Sequence, residues 1–293
     1  MPALAIFIPS ELLSTLGDEA HVIGGLRTKR IRVGNALSRS GLPDLDYSLN
    51  PYVGCYHACI YCYAPGYVRY REVAQNWGEV IYVKENLIQV LSREVRRKKP
   101  GRVGISTISE PYQPLEAKER LTRRSIEILL SNRFHPSIQT KSDLILEDLD
   151  LFAESKEKLD VGFTITTLDD ELSELMEPRA PTPRRRVRAL ERLSENHVRT
   201  WIFLGPIIPG INDDGDSMKD IVELAAETSS FLYFDPLRLK PWVIPRLRRE
   251  LEERGFDAEV VMERTRDKRW LKRLRDEIYS NCKRLGVECE SET

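Results

Sequence analysis

NPYVGCYHACIYCYAPGY, residues 50–67, carries three of the chain's five cysteines. Cys55, Cys59 and Cys62 are spaced C-x3-C-x2-C. Gly54 lets the backbone bend before the first of them, and Tyr61 places an aromatic ring directly before the last. Pro65 and Gly66 then turn the chain away. Disulfides account poorly for the cluster: three thiols are an odd number, and a cytosol keeps them reduced. A structural zinc site takes four Cys or His ligands in paired units. With His57 inside the segment and Cys282 far downstream, zinc stays open as an alternative. Iron–sulfur clusters are held by cysteine thiolates, four when every iron is closed. Three leave one iron open, and an open position marks a catalytic metal site because a substrate can enter it.

The rest of the chain bounds that reading. Its 293 residues can bury one large core or two modest ones. The 45 basic and 46 acidic residues nearly cancel, so charge alone gives no support for nucleic-acid binding. Charged residues make up 31% of the chain, and Arg and Glu dense on helices fit a heat-adapted protein. No apolar run of about 18 residues is present, so no membrane span is expected. The start, MPALAIFIPSELL, lacks a basic leader and a small-residue cleavage site. A cytoplasmic protein is expected.

From residue 100 onward strands and helices alternate. RVGIST (102–107), PSIQTK (136–141), DVGFTITT (160–167), VRTWIFLG (198–205) and SFLYFD (230–235) are rich in strand-forming residues. Between them, 121–132, 146–159, 184–196 and 216–228 have apolar residues at helical spacing, the last with Asp216 or Ser217 as its cap. Repeated strand–helix units predict a parallel sheet with crossover helices. A first strand just before Cys55 makes six such units, which suits an α/β partial (β/α)6 barrel. In such barrels the site lies at the carboxyl ends of the strands. The core is read as 34–241, with an N-terminal extension over 1–33 and a helical C-terminal extension over 242–293, both packed around the barrel.

The cysteine spacing, with its aromatic before the third cysteine, resembles the radical SAM superfamily. LPDLDYSLNPYVGCYHACIYCYA, SEPYQPLE, QTKSDLILEDLDLF, VGFTITTLDDEL and FDPLRLKP together resemble its spore photoproduct lyase-like branch, also called DNA repair photolyases. The resemblance implies the partial barrel. It also implies a [4Fe-4S] cluster on Cys55, Cys59 and Cys62, with S-adenosyl-L-methionine (SAM) chelating the fourth iron. One electron then cleaves the sulfonium to methionine and a 5′-deoxyadenosyl radical. A reducing partner such as a ferredoxin or flavodoxin is implied too.

Position at the strand ends gives candidate roles. Ser109 and Glu110 can accept from the methionine amino group, and Lys141 can bind its carboxylate. Ser142 can bind ribose or cap a helix, and Thr166 and Thr167 can bind ribose. Ile207 and Ile208 can wall adenine, beside Tyr61. Tyr112, Asp235, Arg238 and Lys240 are candidate substrate contacts, although Asp235 can also pair with its neighbours. EPRAPTPRRRVR (177–188) combines prolines with five arginines, a solvated segment or a phosphate-binding patch. His21, His135 and His197 read as structural, Cys282 as a helix-face core residue and Cys289 as a free thiol.

The substrate stays open. The spore lyase depends on a further cysteine after its second strand; here that stretch reads GISTISEP. Photoproduct repair is one alternative. A non-catalytic iron–sulfur electron-transfer protein and a zinc-stabilised nucleic-acid-binding module are the others.

Overall fold

The computed structural model describes residues 21–23 and 25–291. The apolar start and most of the extension read over 1–33 therefore lie outside the described residues, as does the side chain of His21.

The described chain opens with β1 (His21–Ile23), β2 (Leu26–Ile31), β3 (Leu37–Arg39), β4 (Tyr47–Leu49) and β5 (Tyr52–Val53). After the cysteine segment come α1 (Arg71–Gln75), β6 (Val80–Lys84) and α2 (Leu87–Glu94). The alternating region follows: β7 (Arg102–Ile105), α3 (Glu116–Glu119), α4 (Leu121–Ser131), β8 (His135–Thr140), α5 (Leu149–Glu154) and β9 (Asp160–Thr164). It continues with α6 (Asp170–Met176), α7 (Pro183–Glu195), β10 (Thr200–Ile207), α8 (Gly215–Glu227) and β11 (Phe231–Pro236). Helices α9 (Ile244–Glu253), α10 (Ala258–Arg266) and α11 (Lys268–Leu285) precede a last strand, β12 (Cys289–Ser291).

The larger sheet runs β12-β11-β10-β9-β8-β7-β4-β3. From β4 to β11 every neighbouring pair is parallel, which gives the six strands of the expected partial barrel in sequential order. β3 adds an antiparallel edge and β12 a parallel one. The central strand β9 is buried at every residue, as a parallel strand covered on both faces must be. α7 has proline at its first turn, where the missing N–H costs nothing, and buries Ala189, Leu190 and Leu193 against the sheet.

Three details differ from the sequence reading. α8 is capped by Asp214, whose carboxylate accepts from Ser217 N at 2.9 Å, and not by Asp216 or Ser217. The helix read over 146–159 is a 3-10 segment, Asp143–Asp148, followed by the short α5. At their junction Asp148 is buried, where it accepts from Tyr112 Oη at 2.9 Å and Arg120 at 3.0 Å. Finally, β6 went unread. It joins β1, β2 and β5 in a second sheet, so residues on both sides of position 33 build one element. β12 likewise brings the chain end back onto β11, with Cys289 level with Leu232. Among the described residues no helix is long and apolar enough to cross a membrane.

Candidate active site

The cysteine segment follows β5 as a tight loop. Gly54 has φ +98°, and a Cβ there would stand 2.6 Å from the Val80 carbonyl oxygen, so only glycine fits this close approach to β6. Cys62 N donates to Cys59 O at 3.1 Å, and Ile60 N donates to Met176 O at 3.0 Å. The segment is therefore tied to the end of α6. Cys55 and Cys59 are buried and Cys62 is half-buried. Burial pushes all three thiols up, Cys59 to about 12. Three thiolates at this place need compensating positive charge.

Loops after each parallel strand converge on the segment. From the loop after β7, Gln113 Oε1 accepts from Tyr56 N at 3.1 Å, and the Thr107 carbonyl accepts from Tyr63 Oη at 2.8 Å. Glu110 is buried, and burial raises its pKa. Its Oε1 accepts from Tyr112 N at 3.0 Å and from the Thr140 hydroxyl, and its Oε2 from Lys141 N at 3.1 Å. His57 Nδ1 stands 3.5 Å from the same Oε2. Most of this carboxylate is thus spent on holding the β7 loop to the end of β8. Ser142 Oγ caps the 3-10 segment by accepting from Leu144 N at 3.3 Å. Ser106 Oγ and Ser109 Oγ are buried without a hydrogen-bond partner among the described residues.

Under the segment lies a buried charge network. The Tyr61 hydroxyl donates to Glu177 Oε1. Arg186 Nη2 stands 2.5 Å from Glu177 Oε2, and Lys141 Nζ stands 4.0 Å from Oε1. Lys141 Nζ also sits 5.8 Å from the centre of the Tyr61 ring. Burial alone raises a carboxyl, but Arg186 and Lys141 outweigh it and hold Glu177 below its ordinary value. Thr166 Oγ1 approaches Glu177 Oε1 at 3.4 Å, and the Thr166 carbonyl accepts from Asn212 Nδ2 at 2.8 Å. Thr167 Oγ1 instead accepts from Asp169 N in a turn.

A model of the radical SAM superfamily matches residues 49–225. The chain belongs to that superfamily. Its members use a [4Fe-4S] cluster and SAM. An uncharacterised protein of Methanocaldococcus jannaschii is 30% identical over 88% of this chain and 94% of its own length. An uncharacterised protein of Acidianus two-tailed virus is 26% identical over 73% of this chain and 70% of its own. Among solved structures, spore photoproduct lyase complexed with dinucleoside spore photoproduct superposes with a TM-score of 0.66 at 14% identity, over 91% of this chain and 81% of that one. SuiB of Streptococcus suis bound to S-adenosylmethionine gives 0.53 at 14% identity, over 84% of this chain and 50% of that one. Both likenesses concern the fold.

The residues present fit the two radical SAM cofactors. Among the described residues no three His, Cys, Asp or Glu side chains converge on a single-ion site. A cubane takes each thiolate on a different iron, so it does not need that convergence. The unpartnered Ser106 and Ser109 hydroxyls can each donate or accept, and the Lys141 ammonium near Cys59 donates, a set that suits a zwitterionic ligand.

Other candidates are dispersed. Ile208 packs in one cluster with Cys59, Ile60 and Tyr61, whereas Ile207 belongs to the main core and does not share that wall. Tyr112 is 2% exposed with its hydroxyl on Asp148, which corrects its reading as a substrate contact. Asp235 and Arg238 pair at 2.7 Å at the end of β11, and Lys240 follows half-buried. The five arginines of 177–188 form no single patch: Arg186 is buried, Arg185 pairs with Asp143, and Arg179 donates to Gly78 O. His135 Nε2 meets Asp160 at 2.8 Å, a structural role. Cys289 is a free thiol as expected, half-buried with its sulfur against the buried Cys282 thiol.

Sequence reasoning missed Gln113, Glu177, Arg186, Asn212 and Arg246. Arg246 of α9 donates to the carbonyls of Ala58 and Cys59 at 3.2 and 3.1 Å, which bolts the C-terminal helices to the cysteine loop. Glu177 and Arg186 lay within the quoted arginine-rich stretch. The signal available was one acid among its basic residues.

Proposed function

We propose that this radical SAM enzyme holds its [4Fe-4S] cluster on Cys55, Cys59 and Cys62 and binds SAM over the adjoining strand ends. One observation carries the reading: three thiols share a tight loop at the carboxyl end of the parallel sheet, beside the half-buried Lys141 ammonium. When bound, the pair supplies reductive cleavage of the sulfonium, giving methionine and a 5′-deoxyadenosyl radical for hydrogen abstraction.

Lys141 holds the methionine carboxylate, and Ser109 meets the amino group with its buried hydroxyl. Glu110 sets the position of Lys141 through its backbone N–H. Thr166 and Ser142 face the ribose, and Ile208 with Tyr61 walls the adenine. Glu177 and Arg186 keep Tyr61 and Lys141 in place. Asp235, Arg238 and Lys240, at the end of β11, face the substrate. A small reduced carrier such as a ferredoxin or flavodoxin delivers the electron.

Photoproduct repair has no observation of its own here. The loop after β7 offers serine hydroxyls, not a thiol, and Cys289 lies level with Leu232 near the amino end of β11.

Reconstituted protein, reduced with dithionite and given SAM, should release 5′-deoxyadenosine slowly. Its complete absence from reduced, cluster-replete protein counts against the reading.

A further inference from the structure

Trp77 stands at the turn between α1 and β6. Glu79 N and Val80 N both reach Asn76 O, at 3.0 and 3.1 Å, and Gly78 takes φ +92°. A Cβ on Gly78 would come within 2.6 Å of the Ala58 Cβ, so the turn is pressed against the cysteine loop. Arg179 Nη1 clamps it by donating to Gly78 O at 2.5 Å. The Trp77 ring packs with Val73, Val80 and Tyr82. Its Nε1 is buried and has no hydrogen-bond partner among the described residues. The ionisable side chain it faces is the Cys62 thiol.

A buried donor without a partner is unfavourable and calls for an explanation. Indole nitrogen is a donor only, and a neutral thiol is a weak acceptor. A thiolate is a strong one, because bonds to charged acceptors are shorter and stronger. The Trp77 N–H is thus matched to Cys62 in its deprotonated state.

We propose that Trp77 is a positioning residue for the iron–sulfur centre: its Nε1–H donates to the Cys62 sulfur and raises the reduction potential of the cluster. The inference rests on Cys55, Cys59 and Cys62 being the cluster ligands. A hydrogen bond to a ligating sulfur draws electron density away from it. That favours the reduced state, which carries one more negative charge. Arg246 adds positive charge near the same thiol, but it is anchored on backbone carbonyls.

The test uses full-length protein reconstituted anaerobically with iron and sulfide, without SAM. With 15N-indole tryptophan, pulsed EPR of the reduced wild-type cluster should show hyperfine coupling to one indole nitrogen. Trp77→Phe should keep its iron and lose that coupling. At a fixed potential its ratio of reduced to oxidised cluster should fall about tenfold, equivalent to about 59 mV for one electron. An unchanged potential in cluster-replete Trp77→Phe overturns the proposal. If that variant holds no iron, absence of the nitrogen coupling in wild type overturns it instead, and its presence supports it. A wild-type protein that takes up no cluster overturns the ligand assignment along with it, whereas a normal cluster without coupling overturns Trp77 alone.

Discussion

Arg186 and Glu177 form an ion pair at 2.5 Å in which neither side chain is more than 1% exposed. Arg186 also donates to the Thr164 carbonyl at 3.1 Å and the Pro181 carbonyl at 2.8 Å, so α7 is fastened to the end of β9. Glu177 passes this constraint to Tyr61 and Lys141. Glu177→Gln should therefore leave a buried cation uncompensated and cost about 3–5 kcal/mol. Urea unfolding measures it. Glu177→Gln combined with Arg186→Met should recover much of the loss, and a double variant as unstable as the single one would contradict the pairing.

Gly54→Ala tests the ligand loop. The positive φ costs an L side chain roughly 1–2 kcal/mol before any clash, and the added methyl meets the Val80 carbonyl at 2.6 Å. Reduced iron uptake with only a modest fall in melting temperature is the expected result. Full iron content would show that the loop tolerates the side chain.

Glu116 sets a pH dependence outside the site. Burial pushes its carboxyl up to about 7, while it accepts from the Tyr52 hydroxyl and from Thr122 N at 2.8 Å. Between the unfolded value near 4.5 and about 7 the folded protein binds more protons than the unfolded chain. Stability therefore falls as pH rises through that window, by about 3 kcal/mol at most. Glu116→Gln keeps the acceptor and removes the titration, so its unfolding free energy should vary less between pH 5 and about 7.5. An unaltered pH profile would sink this assignment.

Lys141→Ala should weaken SAM binding to the reconstituted protein. A charge-assisted hydrogen bond contributes roughly 1.5–3 kcal/mol, which predicts about a 10- to 150-fold loss of affinity. Calorimetry or equilibrium dialysis reads it. Equal affinity in the variant would reject Lys141 as the carboxylate ligand and leave the cluster assignment standing.

What the sequence made legible was local. The alternating strands and helices from β7 to β11 follow from period and β-branched content, because each segment is long enough to carry its own signal. The cysteine loop was legible for the same reason: its three cysteines lie within eight residues. What stayed hidden was paired across distance. Glu177 meets Tyr61 across 116 positions, and Arg246 meets Cys59 across 187. Such contacts leave no spacing to read. β12 is short, and β6, though as long as β9, stands outside the repeating strand–helix alternation; the role of each depends on a partner, β11 or β2, that no local pattern names. Ile207 and Ile208 look interchangeable in sequence, yet β10 ends between them, and Ile207 packs in the main core while Ile208 packs with the cysteine segment.

The cysteine assignment itself has a direct control. Cys55→Ala, Cys59→Ala and Cys62→Ala should each lose the cluster, whereas Cys282→Ala and Cys289→Ala should keep wild-type iron. A halved iron content in Cys282→Ala would mean a second site.

The most direct measurement is the EPR spectrum of the anaerobically reconstituted, dithionite-reduced protein before and after SAM is added. A cluster held by three thiolates has one iron open to SAM, so its g-values and line shape should change on addition and not with methionine alone. A reduced cluster whose spectrum stays the same at saturating SAM would contradict the account.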